Sequence, residues 1–165
     1  MSTALFFTSS TGNSEEIAGK IASELGGIEV FDLSSTSVDK INEFDKVVIG
    51  GSTWGEGELN DDFDEIWDDF AAIDFSGKTV ALFGLGDQEG YGEDFCNALG
   101  IIYEQVSSAG ATIVGSTSTD GYEYDDSKAE IDGNFVGLVI DEDNQDDLTD
   151  DRISAWAENI KGDIL

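Results

Sequence analysis

Histidine is absent from all 165 residues, and with it the commonest general base and metal ligand. Serine-protease, cysteine-protease and zinc-hydrolase arrangements therefore cannot be assembled. Cys96 is the single cysteine, which excludes an internal disulfide and a thiolate metal cluster. Its place in a helical apolar pattern predicts a buried structural thiol. No apolar run approaches the roughly 20 residues that span a bilayer, and no signal peptide precedes the first apolar segment. A soluble, cytoplasmic protein is expected. Positive charge is also scarce: 7 Lys and Arg stand against 37 Asp and Glu, a formal net charge of −30. Such a field repels DNA, RNA and anionic membranes and steers basic protein surfaces toward the chain.

What is present begins with Thr8-Ser9-Ser10-Thr11-Gly12-Asn13-Ser14. The stretch follows an apolar run, Ala4 to Phe7. It precedes a segment in which Ile17, Ala18, Ile21, Ala22 and Leu25 recur with helical spacing. A loop of hydroxyls leading from a buried strand into a helix aims free backbone N–H groups and a partial positive charge at one spot, an anion site. A nucleotide triphosphatase would need G-x-x-x-x-G-K-[ST]. Here Lys20 falls inside the predicted helix, so the expected anion is a single terminal phosphate, held by neutral hydrogen bonds and not cleaved.

The length predicts one domain over residues 1–165 with a proper core. Gly26-Gly27 ends the first helix, and Ile28 to Asp32 reads as a second strand. An amphipathic segment around Val38, Ile41 and Phe44 leads to a continuous apolar strand, Lys46 to Gly51, and then to a loop, Ser52 to Leu59. Asn60 is the expected N-cap of a helix with Phe63, Ile66, Trp67 and Phe70 inward. A fourth strand, Thr79 to Leu85, runs into Gly86 to Tyr91, and a helix with Phe95, Leu99, Ile102 and Val106 inward follows. The fifth strand, Ala111 to Gly115, resumes as Phe135 to Ile140 after an inserted loop of about residues 118–134. The acidic run Asp141 to Asp151 lacks the Gly of an EF-hand loop and reads as solvated. The last helix starts near Thr149 and buries Ile153, Trp156 and Ile160. Alternating strand and helix predict an α/β fold with a parallel sheet and right-handed crossovers.

In an open parallel sheet, ligands bind beyond the carboxyl ends of the strands, where the strand order reverses. Three loops leave strands one, three and four at that edge. The first supplies the phosphate seat. The others each carry an aromatic, Trp54 and Tyr91, in Gly-rich and acidic surroundings that suit a planar ring better than a core. A phosphate seat with an aromatic sandwich describes a flavin mononucleotide (FMN) site. A response regulator would need an acid pair after strand one and a phosphoacceptor Asp after strand three; those positions are Thr8-Ser9 and Gly50-Gly51-Ser52.

With these motifs in place, and with Ser118-Thr119-Asp120-Gly121-Tyr122 and the stretch Asp141 to Arg152 added, the whole chain resembles the flavodoxins. The inserted loop resembles that of the long-chain subgroup. The resemblance implies a three-layer doubly wound fold, a five-stranded parallel sheet of order 2-1-3-4-5 with helices on both faces and a loop inserted in the fifth strand. It implies that Thr8, Ser9, Ser10, Thr11, Gly12, Asn13 and Ser14 bind the phosphate and that Trp54 and Tyr91 stack on the two faces of the ring. Backbone near Asp87 meets the pyrimidine edge. Ser52, Thr53, Gly55, Glu56, Gly57, Leu85, Gly86 and Asp94 complete the implied cofactor site, Asp94 standing where some relatives have Asn.

The implied function is a low-potential one-electron carrier with non-covalently bound FMN, working through semiquinone and hydroquinone states. The rival reading is an FMN-dependent quinone reductase. If the Gly55–Glu56 peptide lies at flavin N5, its flip turns a carbonyl toward a protonated N5, and glycine permits the flip cheaply. The acidic field should make the last electron hard to add. The resemblance suggests basic redox partners: a ferredoxin-NADP reductase, photosystem I, nitrogenase or bilin reductases. Acid around the flavin edge predicts docking that weakens with salt, and the charge argues for a monomer.

Overall fold

The computed structural model describes residues 3–8, 13–33, 35–54, 58–59, 65–86, 96–119, 121–122, 124, 127–141 and 144–164. The apolar runs read from the sequence become parallel strands. They are β1 (Thr3–Phe7), β2 (Glu29–Asp32), β3 (Lys46–Trp54) and β5 (Thr79–Leu85), together with a fifth strand in two pieces, β6 (Thr112–Val114) and β10 (Leu138–Ile140). They are buried on both faces in the middle of the sheet and partly exposed in β2 and β6 at its margins. The sheet runs β10-β5-β3-β1-β2, with β6 pairing the first half of β5 and β10 the second half. This is the 2-1-3-4-5 order in parallel strands.

Alternate residues of each strand feed two apolar layers. On one face Phe6, Ile49 and Leu82 pack with a 3₁₀ turn (Val38–Glu43), helix α2 (Trp67–Ala71) and helix α3 (Asn97–Ser108). On the other, Leu5, Val48 and Phe83 pack with helix α1 (Asn13–Glu24) and helix α4 (Thr149–Ile164). Helices thus cover both faces. The inward positions expected for α1, α3 and α4 are buried: Ile17, Ile21 and Leu25; Leu99, Ile102 and Val106; Ile153, Trp156 and Ile160. Phe70 is buried in α2, whereas Ile66 and Trp67 are half-buried; Asn60 and Phe63 lie outside the described residues, as does Phe95.

Three expectations are corrected. The run Phe135 to Ile140 is not one strand. It divides into β9 (Asn134–Phe135) and β10 because Gly137 passes against β5, where a Cβ would stand 2.1 Å from the Leu82 carbonyl oxygen. The insertion is not a plain loop: β7 (Thr117–Ser118), β9 and β8 (Glu130–Ile131) form a small antiparallel sheet that sends Phe135 into the core. Ser52 to Trp54 continue β3, and β4 (Glu58–Leu59) pairs back onto them, so that stretch is a hairpin and not a loop. Among the described residues no helix is long and apolar enough to cross a membrane.

Candidate cofactor site at the carboxyl edge of the sheet

Strands β1 and β3 lie side by side, and the chain leaves them in opposite directions, to β2 on one side and to β5 on the other. Their carboxyl ends therefore flank the point where strand order reverses, the crevice in which this class of sheet takes ligands. Thr8, one residue beyond β1, is fully buried and donates its backbone N–H to the Gly50 carbonyl of β3 at 3.3 Å. Five residues later the chain is already helical, since α1 opens at Asn13. The first-turn N–H groups of a helix have no acceptor within it. The N-terminus of α1 thus opens a short stretch of chain beyond the β1 edge. Lys20 is inside α1 as expected; its Nζ lies 2.9 Å from Asp150 Oδ1 and 3.8 Å from Glu16 Oε1, engaged along the helix surface.

The second and third strand ends are set by register. Phe7 is level with Gly50, and Ser52 with Leu85. β3 then projects two residues further, to Trp54. Thr53 pairs with Leu59 and Trp54 with Glu58, which leaves residues 55–57 to connect the hairpin. On the far side, Leu85 is buried, and Gly86 donates its N–H to the Ile140 carbonyl at 3.1 Å, fastening the exit of β5 to β10. The structure thus gathers Thr8, the start of α1 at Asn13 and Ser14, the strand end Ser52-Thr53-Trp54, and Leu85-Gly86 along one edge. Ser9, Ser10, Thr11, Gly12, Gly55, Glu56, Gly57, Asp87, Tyr91 and Asp94 lie outside the described residues, as do the side chains of Asn13, Ser14, Ser52, Thr53 and Trp54.

Behind this edge is a polar cluster that sequence reasoning missed. Asp141, the first residue past β10, is fully buried and accepts hydrogen bonds from the Asn144 backbone N–H at 3.1 Å and from its Nδ2 at 2.9 Å. The acidic run is therefore not wholly solvated; its first member is an internal turn anchor, which the Asp-x-x-Asn spacing could have signalled. Tyr122 donates its hydroxyl to the Val139 carbonyl at 2.5 Å, and the Arg152 guanidinium lies 4.0 Å from the centre of its ring. Gln145 Nε2 donates to the Gly121 carbonyl at 2.9 Å. These contacts join the two stretches Ser118–Tyr122 and Asp141–Arg152. Burial pushes the Tyr122 phenol above its ordinary pKa, with Arg152 opposing.

Cys96 is fully buried, as expected, with burial and then the Asp141 charge pushing its thiol up, so it is no nucleophile. Among the described residues no group of three His, Cys, Asp or Glu could hold a metal ion. In sequence the run Thr8 to Ser14 carries no charge, and the described part of the edge presents the start of α1. This combination fits a single phosphate monoester on an organic cofactor such as FMN, and does not fit a metal-bound triphosphate.

Comparison with known proteins agrees. The sequence model of the family described as Flavodoxin matches residues 5–156. The chain is 47% identical to the flavodoxin of Picosynechococcus sp. over 160 residues, covering 95% of this chain and 94% of that one. It is 47% identical to the Helicobacter pylori flavodoxin over 158 residues, with 96% and 95% covered. Among solved structures it superposes on Fusobacterium nucleatum flavodoxin bound to flavin mononucleotide with a TM-score of 0.93 at 33% identity, over 100% of both chains.

Proposed function

The chain belongs to the flavodoxin family, and from that premise we propose that Thr8 to Ser14 seat the cofactor phosphate while Trp54 and Tyr91 enclose the ring. The protein is an FMN electron carrier and not an enzyme, and its partners are redox proteins. When bound, FMN supplies the one-electron chemistry. The chain's part is to bind, orient and tune.

Thr8 and the α1 N-terminus hold the phosphate by neutral hydroxyl and backbone donors. Ser52, Thr53, Gly55, Glu56 and Gly57 line one side of the ring from the β3–β4 hairpin, and Leu85, Gly86, Asp87 and Asp94 line the other. Gly55 presents its peptide to the ring edge and can turn it over, which is the tuning device. The observation that carries this reading is the register that brings the β1, β3 and β5 ends to one switch point. A −30 chain disfavours adding negative charge at that edge, which supports a strongly reducing carrier.

One FMN-binding domain over residues 1–165 follows, of the long-chain subgroup because the fifth strand is interrupted by an insertion. A cytoplasmic monomer with basic partners, of the ferredoxin-NADP reductase, photosystem I, nitrogenase or bilin-reductase type, accords with the charge. Stepwise anaerobic reduction of the FMN-loaded protein, followed by visible absorption, tests the reading. Two separate one-electron steps are expected. A single two-electron step with quinone turnover would replace it with the quinone-reductase reading, and failure of FMN to bind would remove the site.

A further inference from the structure

A groove of about 490 Å³ lies on the flank of the molecule between the small antiparallel sheet, β6, α3 and the end of α4. It falls within the size range of ligand sites. Its lining mixes polar and apolar groups, among them Ile113 from β6, Tyr103 from α3 and the exposed Ile131 from β8. Two carboxylates, Asp132 and Asp163, complete the wall. Neither makes a hydrogen bond or an ion pair with a described residue, and both are exposed. None of the seven basic residues lines the groove; the nearest in sequence, Lys161, pairs with Glu158 at 3.7 Å.

Asp132 is not loosely held. It occupies the left-handed region, φ 55°, followed by Gly133 at φ 84°, and Ile131 pairs directly with Asn134. Two consecutive positive φ values in an Asp-Gly pair make a tight two-residue hairpin whose twist matches its strands. The carboxylate is thereby presented from a fixed backbone.

We propose that this groove receives an arginine side chain of a partner protein. The guanidinium is a flat, weakly hydrated cation that stacks on aromatic faces and bridges carboxylates. It matches a groove lined by one Tyr and two unpaired acids, and its methylene stem matches Ile113 and Ile131. A free monocation would spend most of so small a contact on lost translational freedom, whereas a side chain already tethered in an interface does not. The groove is also remote from the cofactor edge. β6 pairs residues Thr79 to Ala81 at the start of β5, and Asp163 precedes Ile164, whose carbonyl accepts from Thr3 at the start of β1. A partner gripped here leaves the carboxyl edge uncovered, so the carrier can be held by one protein while it meets another.

The test uses ¹⁵N-labelled, FMN-loaded protein in moderate salt. It is titrated with N-acetyl-arginine methylamide and with a capped peptide carrying one central Arg between apolar residues. One saturable set of amide shifts is expected at the Asp132–Gly133 tip and around Asp163, with the peptide binding at least about tenfold tighter than the capped amino acid. Asp132→Asn with Asp163→Asn should abolish both, because Asn keeps the left-handed turn while removing the charge. Asp146→Asn with Asp147→Asn makes the same change in net charge elsewhere and should leave both intact. Equal affinity for the two probes would overturn the partner protein in favour of a small free cation. Shifts scattered over the acidic surface, or lost equally in both double variants, would overturn the site.

Discussion

The two edges of the central sheet are finished differently. At the amino edge the chain closes on itself: Thr3 Oγ1 donates to the Ile164 carbonyl at 2.5 Å, and Lys78 Nζ to the Phe44 carbonyl at 2.5 Å. Backbone bonds from Thr79 to Asp45, Phe75 to Ala109 and Thr112 to Lys78 join the segments that enter the strands. At the carboxyl edge, the described strand ends hold each other through Thr8 and Gly86, and the segments that follow carry hydroxyls, glycine and acid. Where the chain satisfies its own groups it builds stability; the opposite edge is where a parallel sheet of this strand order takes a ligand.

The sharpest way to break that contrast is to damage the amino edge and ask whether the cofactor rescues it. Phe75, fully buried just before β5, packs on Phe70 with ring centres 5.7 Å apart. Phe75→Ala should cost about 3–5 kcal/mol in urea unfolding, to a similar extent with and without FMN. A loss confined to the FMN-free protein would mean that the two edges are one unit.

Trp54→Ala should do the reverse. FMN affinity falls roughly tenfold or more in a fluorescence titration, from lost area and stacking, while the stability of the FMN-free protein changes by less than about 0.5 kcal/mol. Tyr122→Phe removes one hydrogen bond near the carboxyl half and should cost about 1 kcal/mol at neutral pH. It also changes the pH response. The native phenol holds its proton above the ordinary value of 10.0, so the unfolded chain loses that proton first and stability falls as pH rises past 10. The variant should lack that part of the decline; an unchanged slope would show that Tyr122 is not the group responsible. The smallest effect is electrochemical. Gly55→Ala should move the reduction potentials by tens of millivolts, since a tenfold change in relative affinity is about 59 mV for one electron, and unmoved potentials would rule out the Gly55 peptide as the tuning device.

Much of this was legible because it is periodic. The strands buried on both faces read as unbroken apolar runs, and α1, α3 and α4 showed their inward faces at helical spacing. The candidate site was legible as residue types at three strand exits, because backbone order fixes which exits share an edge. What was not legible depends on partners far along the chain. Ser52 to Trp54 look like a loop until Glu58–Leu59 pairs with them, and Gly137 marks a break only because Leu82 lies against it. The strands of the insertion have two residues each, too few to show alternation. Asp141 resembled its acidic neighbours, and only the fold distinguishes the one that is buried.

The divided fifth strand has a consequence for how the chain can change length. Val114 is level with Ala81 and Leu138 with Phe83, so the insertion leaves and re-enters the sheet two residues apart along β5. That gap is only about 7 Å. Residues 115–137 could therefore be removed and the ends rejoined through a single residue without moving the register of either flank, leaving the space of Ala129, Phe135 and Val136, and of the half-buried Tyr122 and Tyr124, to be refilled. The sheet is built so that the insertion can be gained or lost as one edit without a change in strand order, at the loss of the Tyr122 and Gly121 contacts behind the carboxyl edge.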